Sequence, residues 1–303
     1  MAAFIHAFYL QIIILLEKVT PSKYVSPGED SIGSGLLPRG CFPQTTDPDL
    51  PNLINVDISA ERQVVEGFGA SLTGASAWVI WRHPARDQIV RDLFNPESGN
   101  GMSYVRIPVS LMSDFMAKDG GGEYTYVEDW DYSLNSFSIA KDLDYFIPVL
   151  KMALSENPRL RVMAVPWSAP GWMKSSNHQH GGKFLSENIE LYARYLAMYV
   201  QAYRDNGIHI NTMVPQNEPG FEPNGYPSMI LDSWQEAELI QKLVEEFRSR
   251  GLDTKLVIYG HNWDNLQYAR DILSMPEVRP HVEGVAFHCY KGDYKAPGEI
   301  NQV

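Results

Sequence analysis

From Gln63 onward the chain alternates two kinds of pattern: short, nearly continuous apolar runs, and longer stretches with apolar residues three and four positions apart. The first kind predicts buried strands and the second amphipathic helices. Strands are predicted over 63–68, 102–109, 160–165, 210–218, 255–260 and 282–290. Between them helices are predicted over 84–94, 138–154, 186–203, 233–250 and 266–273. Ser186 is the expected cap of the third helix, and Ser233 with Glu236 has capping-box spacing at the start of the fourth. Strands alternating with helices imply parallel βαβ units and an α/β fold. Six such units are present, whereas a closed (β/α)8 TIM barrel needs eight and about 250 residues. The barrel-like region is therefore expected over 63–303, incomplete, with the last two units missing. Leu53–Ile58 reads as one further strand, set apart from the series.

The N-terminal fifth follows neither pattern. Ala2–Leu16 is apolar but shorter than the roughly 20 residues of a comfortable membrane span. It has the length of a signal-peptide core, without a preceding basic residue or a clear small-x-small cleavage site. A secretory segment is the favoured reading, which places the protein outside the cell or in a secretory, lysosome-like compartment. Residues 21–51 are rich in Pro, Gly and Ser and read as a linker. The divisions expected are thus 1–51, 52–62 and 63–303.

Composition narrows the function classes. The 44% hydrophobic and 20% charged shares are those of a folded protein. A net charge of -12 with no run of Lys or Arg argues against nucleic-acid binding, which needs clustered cations. Two cysteines, Cys41 and Cys289, give no disulfide framework. The 16 Tyr, 12 Phe and 7 Trp often stand near Gly and Pro in expected loops. Loop aromatics suit the apolar faces of sugars, although ordinary core packing explains them equally well.

Chemistry gathers at the strand tips. The third predicted strand ends in Trp167, the fourth in Gln216-Asn217-Glu218-Pro219, and the sixth in His288-Cys289-Tyr290, while the fifth runs on into His261-Asn262-Trp263-Asp264. The C-terminal strand ends of an α/β sheet or barrel are where such folds place their sites. His288 and Tyr290 share a face by alternation. His288 could be a zinc ligand, but no Cys/His spacing accompanies it, so a hydrogen-bonding histidine in a polar cleft is preferred and no metal is expected. Glu218 could be a loop acid. Among Trp, His and Tyr, however, its carboxyl is expected to have a raised pKa and to suit a proton donor. Glu222 and Asp264 read as ordinary loop acids.

Taken together these motifs resemble glycoside hydrolase family 30, the glucosylceramidases and endo-β-1,6-glucanases. The resemblance runs from about Gln63 to Asp293 through Gly67-Phe68-Gly69-Ala70-Ser71, Arg106-Ile107-Pro108, Ser113-Asp114-Phe115, Tyr124-Thr125-Tyr126 and Phe137-Ser138-Ile139. It continues through Pro166–Lys174, Gln216–Pro219 and Phe287–Tyr290. It implies a (β/α)8 barrel with a β-sandwich side domain, of which residues 52–62 are a remnant. It also implies retaining hydrolysis of β-glucosidic bonds by two glutamates without a cofactor. Glu218 matches the acid/base and Asn217 the residue that bonds the sugar 2-hydroxyl. Alternation would put these two on opposite faces, so the strand tip must bend for both to serve. Trp167, His288 and Tyr290 match the lining of the cleaved sugar's subsite. Arg106 and Trp172 are further substrate-binding candidates.

Two departures stand out. Thr73 is followed by Gly74, where many members have an acid that grips sugar hydroxyls. The family nucleophile is a glutamate at the tip of the seventh strand, which is expected beyond Val303; Glu299 has no strand context for the role. The chain as given is therefore expected to be inactive or poorly folded, with exposed strand edges. A glucosylceramidase-type enzyme of sphingolipid metabolism is the leading reading. An endo-β-1,6-glucanase acting on wall glucan is the second, and a non-catalytic carbohydrate-binding remnant the third. The loop over 116–128 and Trp172 would shape the leaving-group side.

Overall fold

The computed structural model describes residue 60, residues 63–110, 123–223 and 225–300, and the backbone of three short strands nearer the N-terminus. Those three are β1 (Phe4–Ile5), β2 (Lys23–Val25) and β3 (Leu37–Arg39). The chain divides into two units, residues 9–64 and residues 1–8 with 65–303. In the smaller unit β2 and β3 pair antiparallel, within the stretch read as linker. The expected strand over 53–58 and the motif at Ser113-Asp114-Phe115 lie outside the described residues, as do most of the apolar stretch 2–16 and most of the 116–128 loop.

The larger unit is built on a curled parallel sheet whose strands follow chain order: β4 (Gly69–Ser71), β5 (Tyr104–Val109), β6 (Arg161–Pro166), β7 (Thr212–Met213), β8 (Lys255–Asn262) and β9 (Val282–His288). Helices between them are α1 (Gly74–Arg82), α2 (Arg86–Phe94), α3 (Phe146–Glu156), α4 (Ile189–Asp205), α5 (Ser233–Ser249) and α6 (Leu266–Leu273), with α7 (Ala296–Ile300) after β9. Sequential parallel order with intervening helices is that of a (β/α)8 barrel, here incomplete. The far edge of β9, expected bare, is paired in parallel with β1, Phe4 opposite Ala286 and Ile5 opposite Phe287.

Alternation along the strands builds two cores. Tyr104, Met163, Val165, Val214, Val257 and Ala286 meet inside the curl of the sheet, with Trp167 above them. The opposite strand faces pack on the helices, where α4 contributes Tyr192, Tyr195, Tyr199 and Tyr203, all fully buried on one helical stripe.

A buried carboxylate ties the 123–139 segment to this stripe. Asp142 accepts from the hydroxyls of Tyr124, Tyr126 (2.8 Å) and Tyr203 (2.7 Å). Burial pushes its carboxyl up, and the three donors oppose that by stabilising the charged form. Asp142→Ala strands three buried hydroxyls, each accustomed to a charged acceptor. A loss of about 3–5 kcal/mol is expected in urea unfolding.

Several boundaries differ from the expected ones. The helix read from Ser186 opens with a short 3-10 turn, and α4 proper starts at Ile189 after Asn188. The capping box of α5 is Asp232 with Gln235, not Ser233 with Glu236. Glu236 is instead fully buried, for a reason that lies in the site.

Candidate active site

The backbone after β7 stays tied to both neighbouring strands although it leaves regular extension. Asn217 N–H donates to Pro166 O (2.8 Å) and Glu218 N–H to Gly260 O (3.0 Å). At Glu218 φ is +47°, in the left-handed region that non-glycine residues seldom adopt. This is the bend that the two adjacent side chains require. It costs on the order of 1–3 kcal/mol, which the surrounding hydrogen bonds hold in place. Asn217 Oδ1 accepts from Arg106 Nη2 (2.5 Å), and Glu218 Oε1 accepts from His288 Nδ1 (2.6 Å). Both side chains thus serve one cleft.

Arg106 is buried on β5, and its guanidinium lies 4.4 Å from the Trp167 ring centre. Trp167 backbone O in turn accepts from Gln216 Nε2 (2.8 Å). Burial draws the Arg106 pKa down to about 10, while Glu218 and Tyr290 pull the other way. It remains a cation, fixed as a fork that only donates.

His261 joins the cluster through an irregularity in β8. Tyr259 pairs with Ala286 but His261 pairs with Phe287, so Gly260 is an extra residue, a β-bulge. Tyr259 (φ +77°) and Gly260 (φ +60°) both take left-handed backbone there. Regular alternation would keep His261 on the same side as Tyr259, whose ring packs 5.4 Å from Tyr268 of α6. The extra residue turns it toward Glu218 instead. His261 Nδ1 lies 3.8 Å from Glu218 Oε1. The bulge also takes Tyr259 N–H out of the regular ladder, and Glu236 Oε1 accepts it (3.0 Å). That is why Glu236 turns inward rather than capping α5. Burial raises its carboxyl to about 7.

The electrostatics of Glu218 differ from the sequence expectation. Burial raises its pKa, as expected, but the hydrogen bond and charge of His288, with the charges of His261 and Arg106, outweigh it. The net effect holds the carboxyl below its ordinary value. A carboxylate surrounded by donors favours the anion; a second carboxylate at close range would push in the opposite direction.

His261 is shifted down by burial, against the upward pull of Glu218. The unfolded chain therefore takes up this proton at higher pH than the folded one. Stability contributed by the neutral ring is complete above about pH 6.5 and is lost as pH falls below it. Melting curves between about pH 7.5 and 5 are expected to show a falling Tm, and a smaller fall in His261→Gln.

Of the other candidates, Tyr290 is exposed, its ring edge-on to His288 at 5.8 Å, and Glu218 and Arg106 both act on its hydroxyl. The structure thus brings together Glu218, Asn217, Arg106, Trp167, His288 and Tyr290. Trp172 is buried, with ring contacts to Trp130 (6.2 Å) and Tyr132 (5.0 Å). Thr73 serves as N-cap of α1, its Oγ1 accepting from Ser76 N–H. Glu222 accepts from Gly182 N–H and Asp264 pairs with Lys291, as loop acids do. Glu299 lies on the exposed part of α7 and pairs with Arg270. The candidate absent from the sequence reading is His261. Its strand-tip position was visible, but its aim depends on the bulge.

Among the described residues no helix is long and apolar enough to cross a membrane. The glycosyl hydrolase family 30 TIM-barrel domain model matches residues 65–302. The chain is 31% identical over 254 residues to the Aspergillus fumigatus protein named Endo-1,6-beta-D-glucanase neg1, covering 77% of this chain and 50% of that one. It is 30% identical over 312 residues to a Caenorhabditis elegans protein provisionally named glucosylceramidase 4, covering 97% and 59%. A solved endo-β1,6-glucanase superposes with a TM-score of 0.74 at 27% identity, covering 83% of this chain and 59% of that chain. The chain thus spans about half the length of these relatives. On the domain match, the relatives and the barrel geometry together, this chain belongs to glycosyl hydrolase family 30.

Proposed function

We propose that this chain carries the acid/base half of a retaining β-glycosidase, with Glu218 as the proton donor. The observation that carries the reading is the left-handed turn at Glu218, which sets Asn217 and Glu218 side by side. Arg106 can only donate, so it fixes the Asn217 amide with Oδ1 toward itself. The Asn217 amide N–H groups are left to donate to a sugar 2-hydroxyl, a bond that strengthens as the oxocarbenium ion forms. Trp167 and Tyr290 offer aromatic surface beside it.

In the first step Glu218 protonates the leaving oxygen while a second carboxylate, about 5–5.5 Å away, attacks the anomeric carbon. In the second step Glu218, now ionised, takes a proton from the attacking water. His288, donating to Oε1, stabilises that ionised state between the steps. We assign the nucleophile to a glutamate on a seventh barrel strand following the six of this chain. Its negative charge raises the Glu218 pKa and loads the proton the first step needs. No metal or cofactor is called for by this two-carboxylate chemistry.

The preferred substrate is a β-glucoside of the glucosylceramide type, handled in a secretory or lysosome-like compartment. A β-1,6-glucan is the second reading, favoured by Trp130 and Tyr132, which stand exposed over Trp172 as a platform on which further sugar units can stack. Product analysis on glucosylceramide and on the β-1,6-glucan pustulan, with a chain extended through the seventh strand, separates the two. Release of ceramide with no glucan cleavage is expected for the first. Oligosaccharides from pustulan establish the second, and turnover of neither removes both.

A further inference from the structure

We infer that Glu218, His261 and His288 form a binding site for one divalent zinc ion. A ring nitrogen of each histidine and a carboxylate oxygen of Glu218 all lie within 4.8 Å of one another. Two imidazoles and one carboxylate are a donor set that suits zinc, with a fourth position left for water or an oxygen ligand. Tetrahedral coordination at roughly 2.0–2.2 Å puts donor atoms about 3.3 Å apart. Glu218 Oε1 stands 2.6 Å from His288 Nδ1 and 3.8 Å from His261 Nδ1, so small side-chain rotations bring the set to that spacing.

The glycosidase chemistry does not account for all three donors. Proton donation needs Glu218 and one orienting partner, which His288 provides. Among the described residues His261 Nδ1 is buried without a hydrogen-bond partner, and it lies 3.8 Å from the same carboxylate oxygen. A buried polar atom left unpaired costs free energy unless something binds it. The Gly260 bulge is what aims it there. The three donors come from the ends of three adjacent elements, β9, β8 and the turn after β7, which fixes them against one another. Arg106 is the opposing charge nearby, and its guanidinium is held by Asn217 and Trp167.

Zinc at this position takes the Glu218 carboxylate and the His288 proton out of use, because bound ligands must be deprotonated. The site therefore also couples a transition metal to inhibition of the proton donor. Metal binding itself needs no turnover, so it can fail or succeed independently of the glycosidase reading.

The test is calorimetric titration of the chelator-stripped chain with zinc chloride, alongside His261→Gln, Glu218→Gln and His180→Gln. His180 pairs with Glu123 on another loop and serves as the histidine control. One zinc per wild-type chain is expected, with affinity reduced about 100-fold in His261→Gln and in Glu218→Gln and unchanged in His180→Gln. Zinc is expected to raise the Tm of wild type and not that of His261→Gln. Far-UV circular dichroism identifies any variant that fails to fold, in which case the other site variant decides. Absence of saturable 1:1 binding overturns the inference, and so does binding that survives His261→Gln or Glu218→Gln undiminished.

Discussion

Glu218→Gln, in a chain carrying the seventh barrel strand, is expected to lower kcat on an alkyl β-glucoside by 10²–10⁴-fold, or about 3–5 kcal/mol of barrier. Glutamine keeps the shape and can still meet His288, but it has no proton to give to a leaving alkoxide. The loss should depend on the leaving group. A dinitrophenolate departs without protonation, so glycosylation of the enzyme by a dinitrophenyl glucoside is expected to fall far less. The released burst of dinitrophenol then reports the first step, while the slow steady state reports the missing base in the second. An equal loss on both substrates would point to a disturbed fold. Robust turnover of the alkyl glucoside by the variant would remove Glu218 from the mechanism.

The second large effect is expected at Gly260, which has no chemistry of its own. A Cβ placed there meets Val214 Cγ1 at 2.9 Å and Gln216 O at 3.1 Å, and φ is +60°. Valine suffers three penalties together: a branched side chain in left-handed backbone, a clash with the inner core, and pressure on the carbonyl just before Asn217. The expected cost is about 3 kcal/mol or more, read as a lower midpoint in urea. Relief of the clash by straightening β8 would undo the bulge and withdraw His261 from Glu218. Loss of stability should therefore be accompanied by loss of the pH-dependent fall in Tm attributed to His261. Gly260→Ala should show the same direction with a smaller magnitude. A Gly260→Val chain as stable as wild type would contradict the placement of the bulge.

Where burial on both faces writes a continuous apolar run, the elements were legible from the residues alone. The run 102–109 contains the fully buried β5, Tyr104–Val109, and Leu266–Leu273 has the bounds expected from its spacing. Helix α1 leaves no clear trace in the residue pattern, because Gly74-Ala75-Ser76-Ala77 has little hydrophobic contrast and its capping box closes on Ser76 instead of Glu or Gln. The apolar pattern puts the first strand over Gln63–Phe68, whose Val64, Val65 and Phe68 are exposed. The paired residues are the less apolar Gly69–Ser71, because pairing with Tyr104–Arg106 decides the strand. Propensity yields to tertiary context there.

The same division runs through the site. Glu218, Asn217 and His288 were visible as chemistry at strand tips, since position along a strand is local information. The direction of the Glu218 pKa was not, because it depends on how many donors converge from neighbouring strands. Nor was His261, whose orientation depends on one extra residue in its pairing with β9. Nor was the part played by Asp142, a buried anchor for three tyrosines that come from elsewhere in the chain. Long-range partners, not residue type, made the difference in each case.

Azide rescue of Glu218→Ala tests the role of Glu218 most directly. Azide is a strong nucleophile without a general base, so it can discharge a glycosyl-enzyme that water cannot. In a chain carrying the seventh strand, with a dinitrophenyl β-glucoside as donor, azide is expected to accelerate turnover of Glu218→Ala and not of wild type. The product is expected to be β-glucosyl azide, with retained configuration by proton NMR. An α-azide, or no azide adduct with undiminished hydrolysis, would contradict the assignment of Glu218 as the acid/base of a retaining pair.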